Sequence, residues 1–108
     1  MDSEISITKA ENYLTRMGGV FIELFKHGSL SVEYYKPHEI DLQQPHNKDE
    51  IYVIAAGTGN FKNGDRTTAF KTGDFLFVPA GVEHQFENFT DDFATWVFFY
   101  GPVGGETP

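Results

Sequence analysis

Short runs of alternating side chains, separated by turn residues, follow one another along most of the chain. In the run 20–28, VFIELFKHG, successive side chains fall on opposite faces of a strand, and LSVEYY follows across Gly28-Ser29 as the second strand of a hairpin. No sustained helical period interrupts this pattern, apart from a weak one over 10–17. The pattern therefore predicts a mostly β chain.

Turn chemistry sets the limits of the later strands. Asn63-Gly64 is the strongest short hairpin signal that a single sequence offers. Pro79 ends a strand, because proline cannot donate a ladder hydrogen bond. The strands predicted after the first hairpin are 50–56, 60–62, 66–70, 75–78, 84–88 and 94–100. Seven or eight short strands at this spacing predict an all-β sandwich or barrel.

The length of the chain predicts a single domain over residues 1–108. We divide it into an N-terminal extension (1–18), a barrel (19–100) and a flexible tail rich in Gly and Pro (101–108). The 11 Phe, 5 Tyr and 1 Trp favour a small interior filled by large side chains. Large apolar residues on both faces of 96–100 indicate that the outer face of this strand is covered, and we expect a homodimer.

Charge and cysteine content limit the partners. With 16 acidic and 8 basic residues the net charge is −8, which argues against a nucleic acid or an anionic membrane as partner. The sequence has no cysteine, so any metal must be held by histidine, carboxylate or amide groups. The first residues resemble no leader peptide and no apolar run is long enough to span a bilayer, so we expect a cytoplasmic protein that acts on a small molecule.

Polar side chains cluster where the strand at 50–56 begins. Gln44, His46 and Glu50 have the same parity, so an extended segment would point all three toward one face. His84 begins a later strand and can converge on them. The alternative is that each of these residues only hydrogen-bonds a loop at a strand end.

Two spaced motifs carry a resemblance to a known family. Gln44-x-His46 is followed by three residues and Glu50, then by six residues and Gly57; the second motif is 73–88, GDFLFVPAGVEHQFEN. Together they resemble the two conserved motifs of the cupin superfamily, in the right order and separated by 58–72. The stretch 41–52 also reads D-x-Q-x-P-H-x-x-D-E-x-Y, which resembles small single-domain bacterial cupins.

This resemblance implies a double-stranded β-helix, or jelly-roll cupin barrel, with a divalent metal ion in its mouth. His46, Glu50 and His84 match three of the four usual ligand positions, and Gln44 stands at the fourth, where the family usually has histidine. Two imidazoles and a carboxylate suit Fe²⁺ or Mn²⁺ best, with Ni²⁺ or Zn²⁺ as alternatives.

The reaction stays open, because one fold serves many chemistries. Three strong ligands leave adjacent coordination positions for a substrate and O₂, which slightly favours a metal-dependent dioxygenase over an isomerase or lyase. The alternative is a cupin that binds a sugar or organic acid without turning it over. We expect Tyr34, Tyr52 and Trp96 to line the substrate pocket, because each joins an apolar body to one polar atom.

Overall fold

The computed structural model describes residues 2–108. One helix precedes eight strands: α1 (Ile7–Met17), β1 (Phe21–His27), β2 (Leu30–Tyr35), β3 (Asp49–Ala56), β4 (Thr58–Asn63), β5 (Arg66–Lys71), β6 (Phe75–Val78), β7 (His84–Glu87) and β8 (Ala94–Tyr100). The strands match the predicted ones to within two residues, because turn residues bound them closely.

The strands form two antiparallel sheets. The larger has the order β1-β2-β8-β3-β6, and the smaller has the order β5-β4-β7. β3 lies between β8 and the edge strand β6 and pairs with both. The predicted all-β jelly roll is confirmed.

Aromatic side chains fill the space between the sheets. Tyr52 of the large sheet packs on Phe61 and Phe86 of the small sheet, with ring centroids 5.6 and 4.8 Å apart. Phe70 and Phe93 extend the same cluster, and all five residues are buried. Four of the 11 phenylalanines of the sequence are thus buried in one small core.

Helix α1 covers the outer face of the large sheet. Ser6 caps it by accepting a hydrogen bond from the backbone N–H of Lys9. Ala10 and Leu14 are buried beside Tyr34, and the Tyr34 hydroxyl donates to Glu11. The helix is longer than its weak sequence period predicts, because packing on the sheet supplies most of its stability.

Hydrogen bonds hold residues 101–108 against the barrel. The N–H of Gly104 donates to the carbonyl of Asn47 at 2.7 Å, and the N–H of Glu106 donates to Oδ2 of Asp49 at 2.7 Å. The other oxygen of this buried carboxylate accepts from the N–H of Ala80. Asp49 therefore ties the tail to the second motif.

Within residues 2–108, no helix has the length and apolar character needed to cross a membrane.

Candidate metal centre

Three side chains from three segments meet between the sheets. Glu50 points inward from the second position of β3, His84 points inward from the start of β7, and His46 comes from the loop before β3. Oε1 of Glu50 lies 2.9 Å from Nε2 of His84 and 3.9 Å from Nε2 of His46. One nitrogen or oxygen atom from each residue lies within 4.8 Å of the others, which is a separation that a single metal ion can bridge.

The two loops that carry the motifs are bonded to each other. The backbone N–H of Gly81 donates to the carbonyl of His46 at 2.7 Å. Gly81 has φ +81°, a conformation that glycine adopts without strain. The glycine of the second motif therefore helps to position the histidine of the first.

The proton of His84 is located by its neighbours. Nδ1 lies 2.9 Å from the carbonyl oxygen of Val82, which can only accept a hydrogen bond, so Nδ1 carries the proton in the neutral ring. The lone pair of Nε2 then faces Glu50. A carbonyl that fixes the tautomer in this way is a common support for metal-binding histidines.

Glu50 and His84 present buried polar atoms that other residues do not satisfy. Glu50 is 1% exposed and His84 is 5% exposed. Both carboxylate oxygens of Glu50, and Nε2 of His84, lack a hydrogen-bond partner of good geometry among residues 2–108, although Oε1 and Nε2 are only 2.9 Å apart. A carboxylate facing an imidazole lone pair is unfavourable in a buried site, and a cation between them removes that cost. The donor set therefore fits a divalent metal ion.

The two histidines differ in their electrostatics. Burial lowers the pKa of His46, and the opposing charge of Glu50 does not restore it. Burial also acts to lower the pKa of His84, but the adjoining Glu50 carboxylate outweighs it, so the pKa of His84 lies above its usual value. His46 is therefore the more readily neutral ligand.

The amide beside the cluster belongs to Gln43 rather than Gln44. Gln44 is exposed, whereas Oε1 of Gln43 lies 3.5 Å from Nε2 of His46 and accepts a hydrogen bond from the Tyr52 hydroxyl at 2.8 Å. The parity that selects Gln44 holds only within a strand, and β3 does not begin until Asp49. The signal for Gln43 in the sequence is the D-x-Q-x-P-H pattern.

Asp41 fixes the orientation of that amide. Its fully buried carboxylate accepts from the Gln43 side chain at 2.9 Å, and also from the Tyr35 hydroxyl and the N–H groups of Gln43 and Phe86. Because the Gln43 NH₂ group donates to Asp41, its oxygen must face Tyr52 and His46. Composition and parity alone do not single out Asp41, whose partner Phe86 lies far away in sequence.

The three aromatic residues predicted for the pocket are divided between two faces of the large sheet. Tyr52 points inward below the cluster, with its ring centroid 6.1 Å from that of His84. Tyr34 and Trp96 pair across β2 and β8 and lie on the outer face, against α1. The structure therefore places only Tyr52 beside the candidate metal centre.

Two cavities adjoin the cluster on different sides. An apolar cavity of about 400 Å³ reaches His46 and Gln43. A more polar cavity of about 200 Å³ reaches His84 and Gln43 and is also lined by Lys62 and Glu83. A ligand can therefore approach the centre from either side.

Fold and cluster together define an antiparallel jelly roll with a candidate His₂Glu metal site. The Cupin domain family matches residues 31–100, and the chain belongs to this family. The sequence is 31% identical over 86 residues to an uncharacterized protein of Streptomyces coelicolor, and the aligned region covers 78% of this chain and 82% of that protein.

Solved structures share the fold. A cupin-2 domain-containing protein from Shewanella frigidimarina superimposes with a TM-score of 0.64 at 14% identity, over 84% of this chain and 92% of that one. A cupin family protein with a double-stranded β-helix fold from Methanocaldococcus jannaschii gives a TM-score of 0.64 at 19% identity, over 75% and 78%. The plu4264 protein of Photorhabdus luminescens gives a TM-score of 0.59 at 17% identity, and the match covers 68% of this chain and 64% of that one.

Proposed function

We propose that this cupin binds one divalent metal ion through His46, Glu50 and His84. The observation that carries this proposal is the set of buried atoms on Glu50 and His84 that lack partners of good geometry among residues 2–108. Fe²⁺ and Mn²⁺ are the favoured ions, because two imidazoles and a carboxylate suit both, and Ni²⁺ or Zn²⁺ are alternatives. Gln43 replaces Gln44 as the candidate fourth ligand, because its amide oxygen faces His46.

We further propose that the site is catalytic and acts on a small molecule. When bound, a divalent ion supplies a Lewis acid and, if it is iron or manganese, a redox partner for O₂. The residues of this chain hold the ion on one side, exclude bulk water through the aromatic core below, and leave the adjoining cavities for substrate. A dioxygenase is slightly favoured over an isomerase or lyase. Non-catalytic binding of a sugar or organic acid is the alternative.

Elemental analysis of protein purified without an affinity metal tests the site. Near-stoichiometric metal is expected in the wild type, with loss of the metal in His84→Ala. His27→Ala is the matched control, because His27 ends β1 in an exposed position away from the cluster. A wild type that is empty and gains no thermal stability from any of the four ions would refute the metal site.

Spectroscopy and turnover separate the catalytic proposal from its alternative. Nitric oxide binding to the Fe(II) protein reports coordination positions that are open to a second ligand. Consumption of O₂ with a bound small molecule supports the dioxygenase, and chemical change of that molecule without O₂ supports the isomerase or lyase. A ligand that binds and is recovered unchanged supports the alternative.

The homodimer stays a prediction that rests on the outer face of the large sheet. Phe75 and Phe77 of the edge strand β6 are 63% and 40% exposed. Burial of these side chains against a second copy would remove apolar surface from water. Light scattering should give twice the chain mass, and Phe77→Ser should shift the protein toward the monomer; a wild-type monomer at high concentration refutes the prediction.

A further inference from the structure

The apolar cavity beside His46 has the size and lining of a small-molecule site. Its volume of about 400 Å³ falls within the range of about 300–1,000 Å³ that is usual for such sites. His46 and Gln43 lie in its wall, so a molecule in the cavity sits next to the proposed metal ion. The apolar part of the wall consists of Val20, Phe21, Leu42, Val97 and Phe99, and the polar part consists of Glu33, Tyr35, Gln43 and His46.

Three of the four polar wall groups already have partners. The Tyr35 hydroxyl donates to Asp41 at 2.6 Å, and His46 belongs to the candidate metal centre. The side-chain NH₂ of Gln43 donates to Asp41, and its amide oxygen accepts from the Tyr52 hydroxyl. Glu33 differs from them. Within residues 2–108, no hydrogen bond or ion pair joins its carboxyl group to another side chain.

Strand pairing places Glu33 on the cavity side of the large sheet. It lies opposite Val97 of β8, which is also part of the wall, and opposite Glu23 of β1. The side chain is half-buried. A carboxyl group in this position is available to a ligand in the cavity.

Two other carboxylates act on the charge of Glu33. Burial raises its pKa, and the carboxylates of Glu23 on β1 and Glu50 on β3 raise it further. The facing positions on β8 are apolar, and His46 in the loop has a lowered pKa and adds little positive charge. A ligand with a carboxylate directed at Glu33 would therefore meet repulsion, whereas a neutral hydrogen-bond donor would not.

We propose that this cavity is the substrate pocket of the metal centre, that it takes a small uncharged molecule with an apolar body, and that Glu33 binds the polar group of that molecule. This inference rests on the proposed function, which it deepens by naming a substrate class. Glu33 then acts as a specificity residue that excludes anions.

Two probes of similar size test the pocket: 2-phenylethanol, which is neutral, and phenylacetate, which is anionic. Binding of each is measured by NMR titration of the full chain as purified, at about pH 8.5, which is several units above the ordinary pKa of glutamate and so favours the ionised form of Glu33. The variant is Glu33→Gln, which keeps size and hydrogen bonding but removes the charge. Glu23→Gln is the matched control, because Glu23 is the strand neighbour of Glu33 and is not in the cavity wall.

The wild type and Glu23→Gln are expected to bind 2-phenylethanol roughly tenfold more tightly than phenylacetate. In Glu33→Gln the two probes should bind about equally, with shifts at Leu42, Val97 and Phe99 in each protein. Glu33→Gln should be folded, with a Tm at or above that of the wild type: the folded-state pKa of Glu33 is raised, so its ionised form opposes folding at this pH.

Equal binding of both probes by the wild type, a preference unchanged in Glu33→Gln, or no shifts at the cavity with either probe would overturn the inference. The metal content of each sample is measured in parallel. Charge selection in a protein that binds no metal refutes the proposed function and the link of the cavity to a metal, but supports the role of Glu33 in selecting neutral ligands. Stoichiometric metal without charge selection refutes this inference alone.

Discussion

Replacing Asp41 with asparagine tests whether one buried carboxylate holds the two motifs in place. Asn has nearly the same shape but offers one acceptor where Asp offers two. In the structure Oδ1 accepts from the Tyr35 hydroxyl and the N–H of Gln43, and Oδ2 accepts from the Gln43 side chain and the N–H of Phe86. Whichever oxygen becomes NH₂ therefore meets two donors.

The magnitude follows from those contacts. If the NH₂ group replaces Oδ2, the N–H of Phe86 is left buried without a partner, and the Gln43 amide must turn over. Two donors face the new NH₂ group and each unsatisfied buried donor costs about 1–3 kcal/mol, so Asp41→Asn should lower the free energy of unfolding by about 2–6 kcal/mol. For a domain of this size, that corresponds to a fall in Tm of at least about 8 °C.

Urea unfolding of the chelator-treated protein measures the loss, and Asp74→Asn is the matched control. Asp74 accepts one hydrogen bond from the backbone of Lys71 at an exposed site, so its change should cost about 1 kcal/mol or less. A cost below about 1 kcal/mol for Asp41→Asn would show that the network does not hold the loop, and that the orientation of Gln43 has another cause.

Three further changes follow from the structure. Gln43→Ala should weaken metal binding by roughly tenfold and Gln44→Ala should leave it unchanged, because the amide of Gln43 faces His46 and Gln44 is exposed. Calorimetric metal titration measures both affinities, and equal effects of the two changes would contradict Gln43 as the candidate fourth ligand. Gly57→Ala should unfold at a much lower temperature than the wild type, because the glycine has φ +93° and an added Cβ would lie 2.7 Å from the backbone Cα of Phe93. An unchanged Tm would show that the turn can shift. In the folded chain burial raises the pKa of Glu11, but hydrogen bonds to its carboxylate outweigh this effect and lower the pKa, so ionised Glu11 stabilises the fold above the pKa of the unfolded chain and that stability is lost as the pH falls through the folded pKa. Glu11→Gln should therefore be less stable than the wild type at pH 7 and equal to it at low pH. A stability difference that does not depend on pH in urea unfolding would contradict this.

Within regular strands, the sequence is sufficient to predict the candidate site. Glu50 and Tyr52 share one face of the sheet because they are two residues apart in β3, and the motif spacing identifies His46 and His84. Parity fails at Gln43 and Gln44 because the chain before β3 is a loop. The direction of that loop depends on Asp41, whose partners include the distant Phe86.

The sequence alone determined the strand order along the chain, the family and three of the metal-ligand candidates, since local turn chemistry and motif spacing carry that information. Only the tertiary structure decided which face of each strand is interior. Tyr34 and Tyr35 are adjacent and equally suited to a pocket, but the small sheet covers one face and α1 covers the other, so Tyr35 joins the cavity while Tyr34 packs under the helix. The position of Glu33 in the cavity wall, without a side-chain partner among residues 2–108, also emerges only in three dimensions, because the charges that raise its pKa come from Glu23 of β1 and Glu50 of β3.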